Sequence, residues 1–356
     1  MARAFFNLST LRKLVFLFRD HSPSQITNTL RFGSHALRGF RATQLPYDPI
    51  WLSLDTTARC NLQCRHCVHG NPENLHKPQF CDLTMDTFRQ ILDRFPRAIS
   101  VSLGGGEPFL NPNLLDMIHV AHERRMRVHI NTNGTLLQSN IDALLEAPLE
   151  YLCVSLYGTD APSFTQVTGA RGSLLDEVLN GVQELVARRR PGGYPHLLRT
   201  SYICTRPSLS QAIEFVRLSE SLGVDSVKLR NLILYGLKGR DESMCLYEDD
   251  PIVQAWVDDI RRQHFGLPVS LPGLYPRSAH ARRCIKPFEQ LNIGGDGSIG
   301  PCCTVGPDSR WGHFLDPGVW NGPTMAQIRR PLCDAAQPLP AICNHCESMI
   351  PRSAPI

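Results

Sequence analysis

Three cysteines crowd into the segment Cys60-Asn-Leu-Gln-Cys64-Arg-His-Cys67, a C-x3-C-x2-C spacing. Three thiolates on one loop can hold three irons of a [4Fe–4S] cluster and leave the fourth iron without a protein ligand, open to a substrate or cofactor. The competing chemistry is a zinc site, with His66 or His69 supplying the fourth ligand that zinc requires. A second group gathers near the other end: Cys284, then Cys302 and Cys303 behind the turn Gly294-Gly-Asp-Gly297, then Cys333, then Cys343-Asn-His-Cys346. The residues on either side of that turn, Phe288–Ile293 and Ser298–Cys302, are β-rich, so a hairpin is expected there. A hairpin plus a C-x2-C pair brings together four thiolates, enough to enclose a cluster completely or to hold a tetrahedral zinc. Cys81, Cys153, Cys204 and Cys245 have no paired spacing, and Cys153 and Cys204 read as small core residues within strands.

These thiols need elements that position them, and from Trp51 onward strand-like and helix-like segments alternate. Strands are expected at Trp51–Thr57, Ile99–Leu103, Arg127–Asn131, Tyr151–Leu156, Leu198–Cys204 and Ser226–Leu232. Helices are expected between them, at Thr84–Phe95, Asn113–Arg124, Leu136–Glu146, Ser173–Arg189 and Ser210–Leu222. Parallel strands need crossover connections, so the alternation argues for an α/β fold with a parallel sheet. Six strands fall short of a closed eight-stranded barrel, and a partial (β/α)6 TIM-like barrel is the expected closure. Active sites of such barrels lie at the C-terminal ends of the strands, where the first cysteine cluster falls.

The sequence at this point resembles the radical S-adenosylmethionine (SAM) superfamily. The resemblance rests on Asp55-Thr-Thr-Ala-Arg-Cys-Asn-Leu-Gln-Cys-Arg-His-Cys67 and on Gly104-Gly-Gly-Glu-Pro108 after the second strand, and extends over roughly residues 50–235. It implies a [4Fe–4S] cluster held by Cys60, Cys64 and Cys67 and chelated at its open iron by the amino and carboxylate groups of SAM. One electron then cleaves SAM to methionine and a 5′-deoxyadenosyl radical, which abstracts hydrogen from an unactivated C–H bond. It implies further that Gly105, Gly106 and Glu107 meet the methionine amino group and that Asn133, in Asn131-Thr-Asn133-Gly134, lies near the adenosine. Ser155 matches a serine that contacts SAM, and Arg171 an arginine that pairs with the SAM carboxylate. The aspartate usual after that serine is replaced by Tyr157. A flavodoxin or ferredoxin is the implied electron donor.

The C-terminal cysteines resemble the shortened auxiliary-cluster module called twitch. Cys284, twelve residues, Gly297, four residues and Cys302 fit the opening half of the longer SPASM form, whereas its further run of cysteines is missing and Cys333 stands alone. This implies one auxiliary [4Fe–4S] cluster on Cys284, Cys302, Cys343 and Cys346, with Cys303 the competitor for the second place.

Composition limits the rest. At 356 residues, with 42% hydrophobic and 20% charged residues, the chain is globular and holds two domains, or one large domain with an appendage. The organisation expected is a basic N-terminal segment over 1–49, the barrel over 50–235, a pocket-forming linker over 236–283, and the auxiliary-cluster domain over 284–350. The longest apolar stretches are far below the ~20 residues that span a bilayer, and Arg12, Lys13 and Arg19 interrupt any signal-peptide core. The chain is therefore expected in the cytoplasm, where thirteen cysteines point to metal or redox chemistry rather than disulfides. Seven basic residues face only Asp20 before residue 46. Interleaved with Phe5, Phe6, Leu11, Leu14, Val15 and Phe18, they could form an amphipathic helix with weak contact to an anionic membrane surface; the ordinary alternative is a solvated capping helix. No basic patch with interleaved aromatics occurs in the barrel, so nucleic acid is not an expected substrate.

An enclosed auxiliary cluster cannot bind substrate, and moving an electron is the role left to it. That suits dehydrogenation or epimerisation of a small polar substrate resembling a sugar or aminocyclitol. The rival is a maturase that crosslinks, epimerises or oxidises a precursor peptide, and a third reading is a non-catalytic iron–sulfur or zinc scaffold. The segment before the barrel is short for a leader-binding domain, which favours the small substrate, although a separate protein can carry that part. Cys245 is a speculative hydrogen-atom donor; Tyr235, Lys238, Glu242, His280 and Arg282 are candidate substrate contacts by position.

Overall fold

The computed structural model describes residues 19–67, 69, 81–234, 241–276, 282–334, 336–340, 343, 346 and 348–351. Tyr235, Lys238, His280 and the amphipathic stretch before residue 19 lie outside the described residues. The six expected strands are present as β1 (Trp51–Thr57), β2 (Ser100–Gly105), β3 (Arg127–Thr132), β4 (Tyr151–Ser155), β5 (Leu197–Cys204) and β6 (Ser226–Asn231), each parallel to the next. A short β7 (Val269–Ser270) continues the parallel order beyond β6. This is the partial barrel of an α/β fold.

Along these strands apolar and polar residues alternate, and the pleat turns that alternation into two faces. Leu52, Leu54, Val101, Leu103, Val128, Ile130, Leu152, Val154, Val227 and Leu229 are essentially inaccessible and pack in the core. Ser53, Asp55, Ser102, Asn131, Ser155, Ser201 and Arg230 point the other way and line a cavity in the barrel.

Outside the sheet, helices follow the expected crossovers: α2 (Met85–Arg94), α3 (Leu114–Glu123), α4 (Ile141–Glu146), α6 (Ser173–Arg188) and α7 (Gln211–Ser221). Thr84 caps α2 by accepting from the Thr87 amide at 3.1 Å, and Phe88, Ile91 and Leu92 bury its inner face. The helix expected over Leu136–Glu146 is shorter, because Gln138–Asn140 form a 3-10 turn before α4. Among the described residues, four helices of eight residues or more were not marked by periodicity: α1 (Pro23–Leu37), α5 (Ala161–Thr168), α8 (Pro251–Arg262) and α10 (Pro323–Cys333). Ser22 and Asp160 close capping boxes on α1 and α5, and Asp250 caps α8.

The expected hairpin forms from β9 (Gln290–Ile293) and β10 (Ile299–Gly300), after β8 (Arg282–Arg283) and the short helix α9 (Lys286–Glu289). It does not stand apart from the barrel. β9 lies parallel to β1, pairing Trp51 with Gln290 and Leu54 with Ile293, so one nine-stranded sheet runs β10-β9-β1-β2-β3-β4-β5-β6-β7. A separate two-stranded ladder joins β8 to β11 (Ile350–Pro351). Among the described residues no helix is long and apolar enough to cross a membrane.

Arg329 of α10 clamps the two ends of the chain together. Its side chain is fully buried, donating to the carbonyls of Pro287 at 2.8 Å and Thr43 at 3.1 Å, with the guanidinium 4.2 Å from the Trp320 ring. Burial pulls its pKa down to about 10. Trp320 in turn donates to the Tyr47 carbonyl at 2.8 Å. Truncation would orphan two buried carbonyls and remove the stacked cation. Arg329→Leu is expected to lower unfolding free energy by about 2–4 kcal/mol, read as a shift of the urea midpoint; an unchanged midpoint would refute the clamp.

Candidate functional site

At the C-terminal end of β1 the chain turns through Ala58 and Arg59 into the cysteine loop. That loop is held from two sides. The Gln63 and Arg65 amides donate to the Thr168 and Val167 carbonyls at 3.1 and 2.9 Å, at the C-terminal end of α5. Asn61 and Asn133 are joined at 2.8 Å, Asn61 also donates to Thr135 Oγ1 at 2.7 Å, and the Asn133 amide lies 3.8 Å from Cys60 Sγ. Arg59 is fixed by Asp82 at 2.6 Å and the Leu110 carbonyl at 2.7 Å.

Cys60, Cys64 and Cys67 line one end of a cavity of about 370 Å³, and Gly104, Gly105, Gly106, Asn133, Ser155 and Tyr157 line it as well. Burial pushes the Cys60 and Cys64 thiols up, and the neighbouring sulfurs push them further. Thiolates so placed require compensating positive charge, which iron provides. Among the described residues no three cysteine, histidine or carboxylate side chains converge as ligands of a single metal ion would. The three thiols border the cavity, and this donor set fits an iron–sulfur cluster with one iron left open.

The glycines are needed for close backbone approach. Gly105 has φ +105°, and a Cβ there would sit 2.4 Å from the Thr57 carbonyl oxygen; one on Gly106 would sit 2.1 Å from that of Arg59. Their closeness lets the Gly106 and Glu107 amides donate to those same carbonyls at 2.7 and 2.8 Å. Glu107 is not among the cavity-lining residues. Fully buried, its carboxylate accepts from Thr132 Oγ1 and the Asn133 amide at 2.7 Å each, and from the Phe109 amide at 3.3 Å. Desolvation still holds its pKa above the usual carboxylate range.

Other expected positions divide. Ser155 faces the cavity, with its hydroxyl 3.4 Å from that of Ser201. Tyr157 sits beside Ser155 and the three thiols, and burial raises its pKa well above the ordinary phenol value. Arg171 is not brought to the cavity: its exposed guanidinium pairs with Glu177 at 2.5 Å and donates to Ser173 at 3.0 Å. Those nearby acceptors on α6 draw it outward. Cys245 and Glu242 are not brought there either. They line a different cavity of about 480 Å³, and the Cys245 thiol points at the Leu232 carbonyl, 3.6 Å away. Buried with Leu232, Tyr247 and Tyr275, Cys245 sits among core residues.

Asp55, the first residue of the loop motif, has no site role in the sequence pattern alone. It faces the cavity from β1, where burial and Asp296 of the hairpin turn push its pKa up to about 6. The polar alternation Ser53, Asp55 on β1, like Arg230 on β6, was the available signal.

In the auxiliary region, Cys284, Cys302, Cys303 and Cys346 lie within one another's electrostatic reach, and Cys343 within that of Cys346. Burial is the main cause that pushes Cys302 up to about 12 and Cys343 to about 11. Cys346 Sγ is 3.4 Å from Thr304 Oγ1. Cys333, at the end of α10, interacts instead with Tyr47 and Arg329. The hairpin turn requires Gly297, with φ +84° and the His313 ring 2.2 Å from where a Cβ would lie.

Against models of known families, residues 54–203 match the radical SAM superfamily and residues 284–347 match the SPASM iron–sulfur cluster-binding domain. The chain is a radical SAM enzyme with a C-terminal SPASM domain. This radical SAM enzyme is 27% identical over 263 residues to a tungsten-containing aldehyde ferredoxin oxidoreductase cofactor-modifying protein of Pyrococcus furiosus, covering 71% of this chain and 70% of the relative. It is 23% identical over 314 residues to a PqqA peptide cyclase of Gluconobacter oxydans, covering 85% and 84%. Its fold matches Streptococcus suis SuiB bound to the precursor peptide SuiA with a TM-score of 0.60 at 18% identity, over 86% of this chain and 71% of the other. A radical SAM enzyme of this kind carries a SAM-binding [4Fe–4S] cluster and auxiliary iron–sulfur binding in its SPASM domain.

Two outcomes follow from the geometry. Gly106→Ala is expected to destabilise the fold by about 1–3 kcal/mol and to lower retained iron, both measurable on one reconstituted preparation. For Asp55, a folded pKa near 6 lies above the unfolded value. Its contribution is present below about pH 4 and lost as pH rises through about 6. Asp55→Asn should remove about 1–3 kcal/mol of that decline in the metal-free protein, measured by urea unfolding from pH 4 to 8; an identical pH slope in both proteins would contradict it.

Proposed function

We propose that this enzyme modifies a peptide or protein, abstracting hydrogen from a C–H bond of one of its residues. The observation that carries this reading is the similarity to a PqqA peptide cyclase across 85% of the chain, which takes in barrel and auxiliary region together. It reverses the preference for a small sugar-like substrate, which rested on the enclosed auxiliary cluster and, secondarily, on the short segment before the barrel.

Cys60, Cys64 and Cys67 are the residues that would hold the SAM-binding cluster. The chemistry such a cluster and SAM would supply there is a 5′-deoxyadenosyl radical for hydrogen abstraction. Gly105 and Gly106 bring the backbone to the cavity wall, while Asn133 and Ser155 present polar groups to the cavity in which the cofactor would sit. Glu107 holds the Thr132–Asn133 turn in place and so acts as a positioning residue. With a pKa near 6, the Asp55 carboxyl can hold or release a proton near neutral pH. Cys284, Cys302, Cys343 and Cys346 would hold one auxiliary cluster, with Cys303 the rival of Cys302. Four protein thiolates leave no open iron, so this second site serves electron movement. A flavodoxin or ferredoxin is the proposed reductant.

The test is anaerobic reconstitution with iron and sulfide, followed by SAM, a strong reductant and a library of synthetic peptides. We expect about eight irons per chain, 5′-deoxyadenosine, and a peptide product with altered mass. Cys64→Ala should abolish SAM cleavage, whereas Cys343→Ala should retain some cleavage and lose the product. Full product from Cys343→Ala would remove the auxiliary cluster from the mechanism.

A further inference from the structure

Beside the cluster cavity lies a larger groove of about 670 Å³, and the two share His66, Tyr157 and Ile203 in their walls. One wall is α5 with Gln166; the other is the turn at Thr205 and the start of α7 at Gln211. The groove is therefore a side entrance to the space bordered by the three thiols, with Tyr157 at the junction. Its charge is one-sided. Arg65 is exposed at the groove and makes no ion pair among the described residues, and no carboxylate is among the described residues that line it. Amides and hydroxyls supply the remaining polarity. Gln166 is exposed, and Gln211 accepts from the Tyr202 hydroxyl at 2.9 Å through Oε1, which leaves its NH2 group for another acceptor.

We propose that this groove receives an extended segment of the peptide substrate and that Arg65 selects an acidic residue in it. This inference rests on the peptide reading above and names what that peptide must carry. A guanidinium with no ion pair among the described residues is complementary to a carboxylate, and side-chain amides can pair with the N–H and C=O groups of an extended chain. With the cofactor held in the first cavity, a chain entering through the groove would pass Tyr157 and bring one residue to the reaction centre. The same Arg65 donates its backbone amide to the Val167 carbonyl of α5, so the recognition residue and the groove wall are fixed to each other.

The probe is a fluorescein-labelled peptide of sequence Gly-Ser-Glu-Glu-Ser-Gly, compared with its Gln-Gln counterpart by anisotropy on the anaerobic reconstituted enzyme with SAM. The acidic peptide should bind about fivefold more tightly, the factor for one partly exposed ion pair. Arg65→Gln should erase that preference, with iron content confirming that the loop still assembles. Gln166→Glu, away from the cysteine loop, should weaken the acidic peptide by a similar factor. Equal affinities for the two peptides, or binding of neither, would overturn the proposal. A peptide product formed at unchanged KM by Gln166→Glu would overturn the groove and leave peptide modification standing. Formation of 5′-deoxyadenosine without any peptide product would overturn both.

Discussion

The mouth of the barrel depends on one buried carboxylate. Glu107 ties the end of β2 to the end of β3 by accepting from Thr132 and Asn133, while its own amide reaches the Arg59 carbonyl beyond β1. Hydrogen bonds to a charged acceptor contribute roughly 1.5–3 kcal/mol each, and taking an ion out of water costs several kcal/mol. Its raised pKa shows that here desolvation is the larger effect. The residue is thus better explained by position than by stability. With it in place, Asn133 is aimed at Asn61 and Cys60, and Gly105 and Gly106 sit against β1 where no side chain fits.

That arrangement was partly legible in the sequence. The alternation along Trp51–Thr57 and the five later strands located the sheet within a residue or two, because burial on one face leaves a local period. The cysteine spacing and the Gly104–Pro108 segment located the site for the same reason: both act through residues close in sequence. Four helices escaped the periodicity reading, yet each begins with a proline in its first turn, as in Ser22-Pro23, Asp160-Ala-Pro162, Asp250-Pro251 and Gly322-Pro323. Capping chemistry was the better signal there. Arg171 and Cys245 show the opposite limit. Whether an arginine turns to a cavity or to Glu177, and whether a thiol meets solvent or the Leu232 carbonyl, depends on neighbours brought in by tertiary packing.

The pairing of β9 with β1 also lay beyond sequence reasoning, since it joins residues more than two hundred positions apart. It makes β1 the shared edge of both cysteine groups: the SAM-cluster loop follows β1, and the auxiliary hairpin lies alongside it. Burial and, across this junction, the charge of Asp296 raise the pKa of Asp55. Arg329, joining α10 to Thr43 and Pro287, closes the same junction from the far side. The two sites are therefore spaced by ladder hydrogen bonds rather than by a flexible linker, which suits electron movement between fixed centres.

If the spacing of the two sites is set by the sheet, substrate choice must reside in the parts that the sheet does not dictate. Those are α5, the turn at Thr205 and the cysteine loop itself. The loop is hydrogen-bonded to the end of α5 through Gln63 and Arg65, so the groove wall and the cluster ligands share backbone contacts. A chain lying in the groove would press on α5 and, through those two amides, on the loop that holds the cluster. On the proposed reading the groove surface can vary only as far as the cysteine loop tolerates, and the Gln63 and Arg65 hydrogen bonds mark that limit.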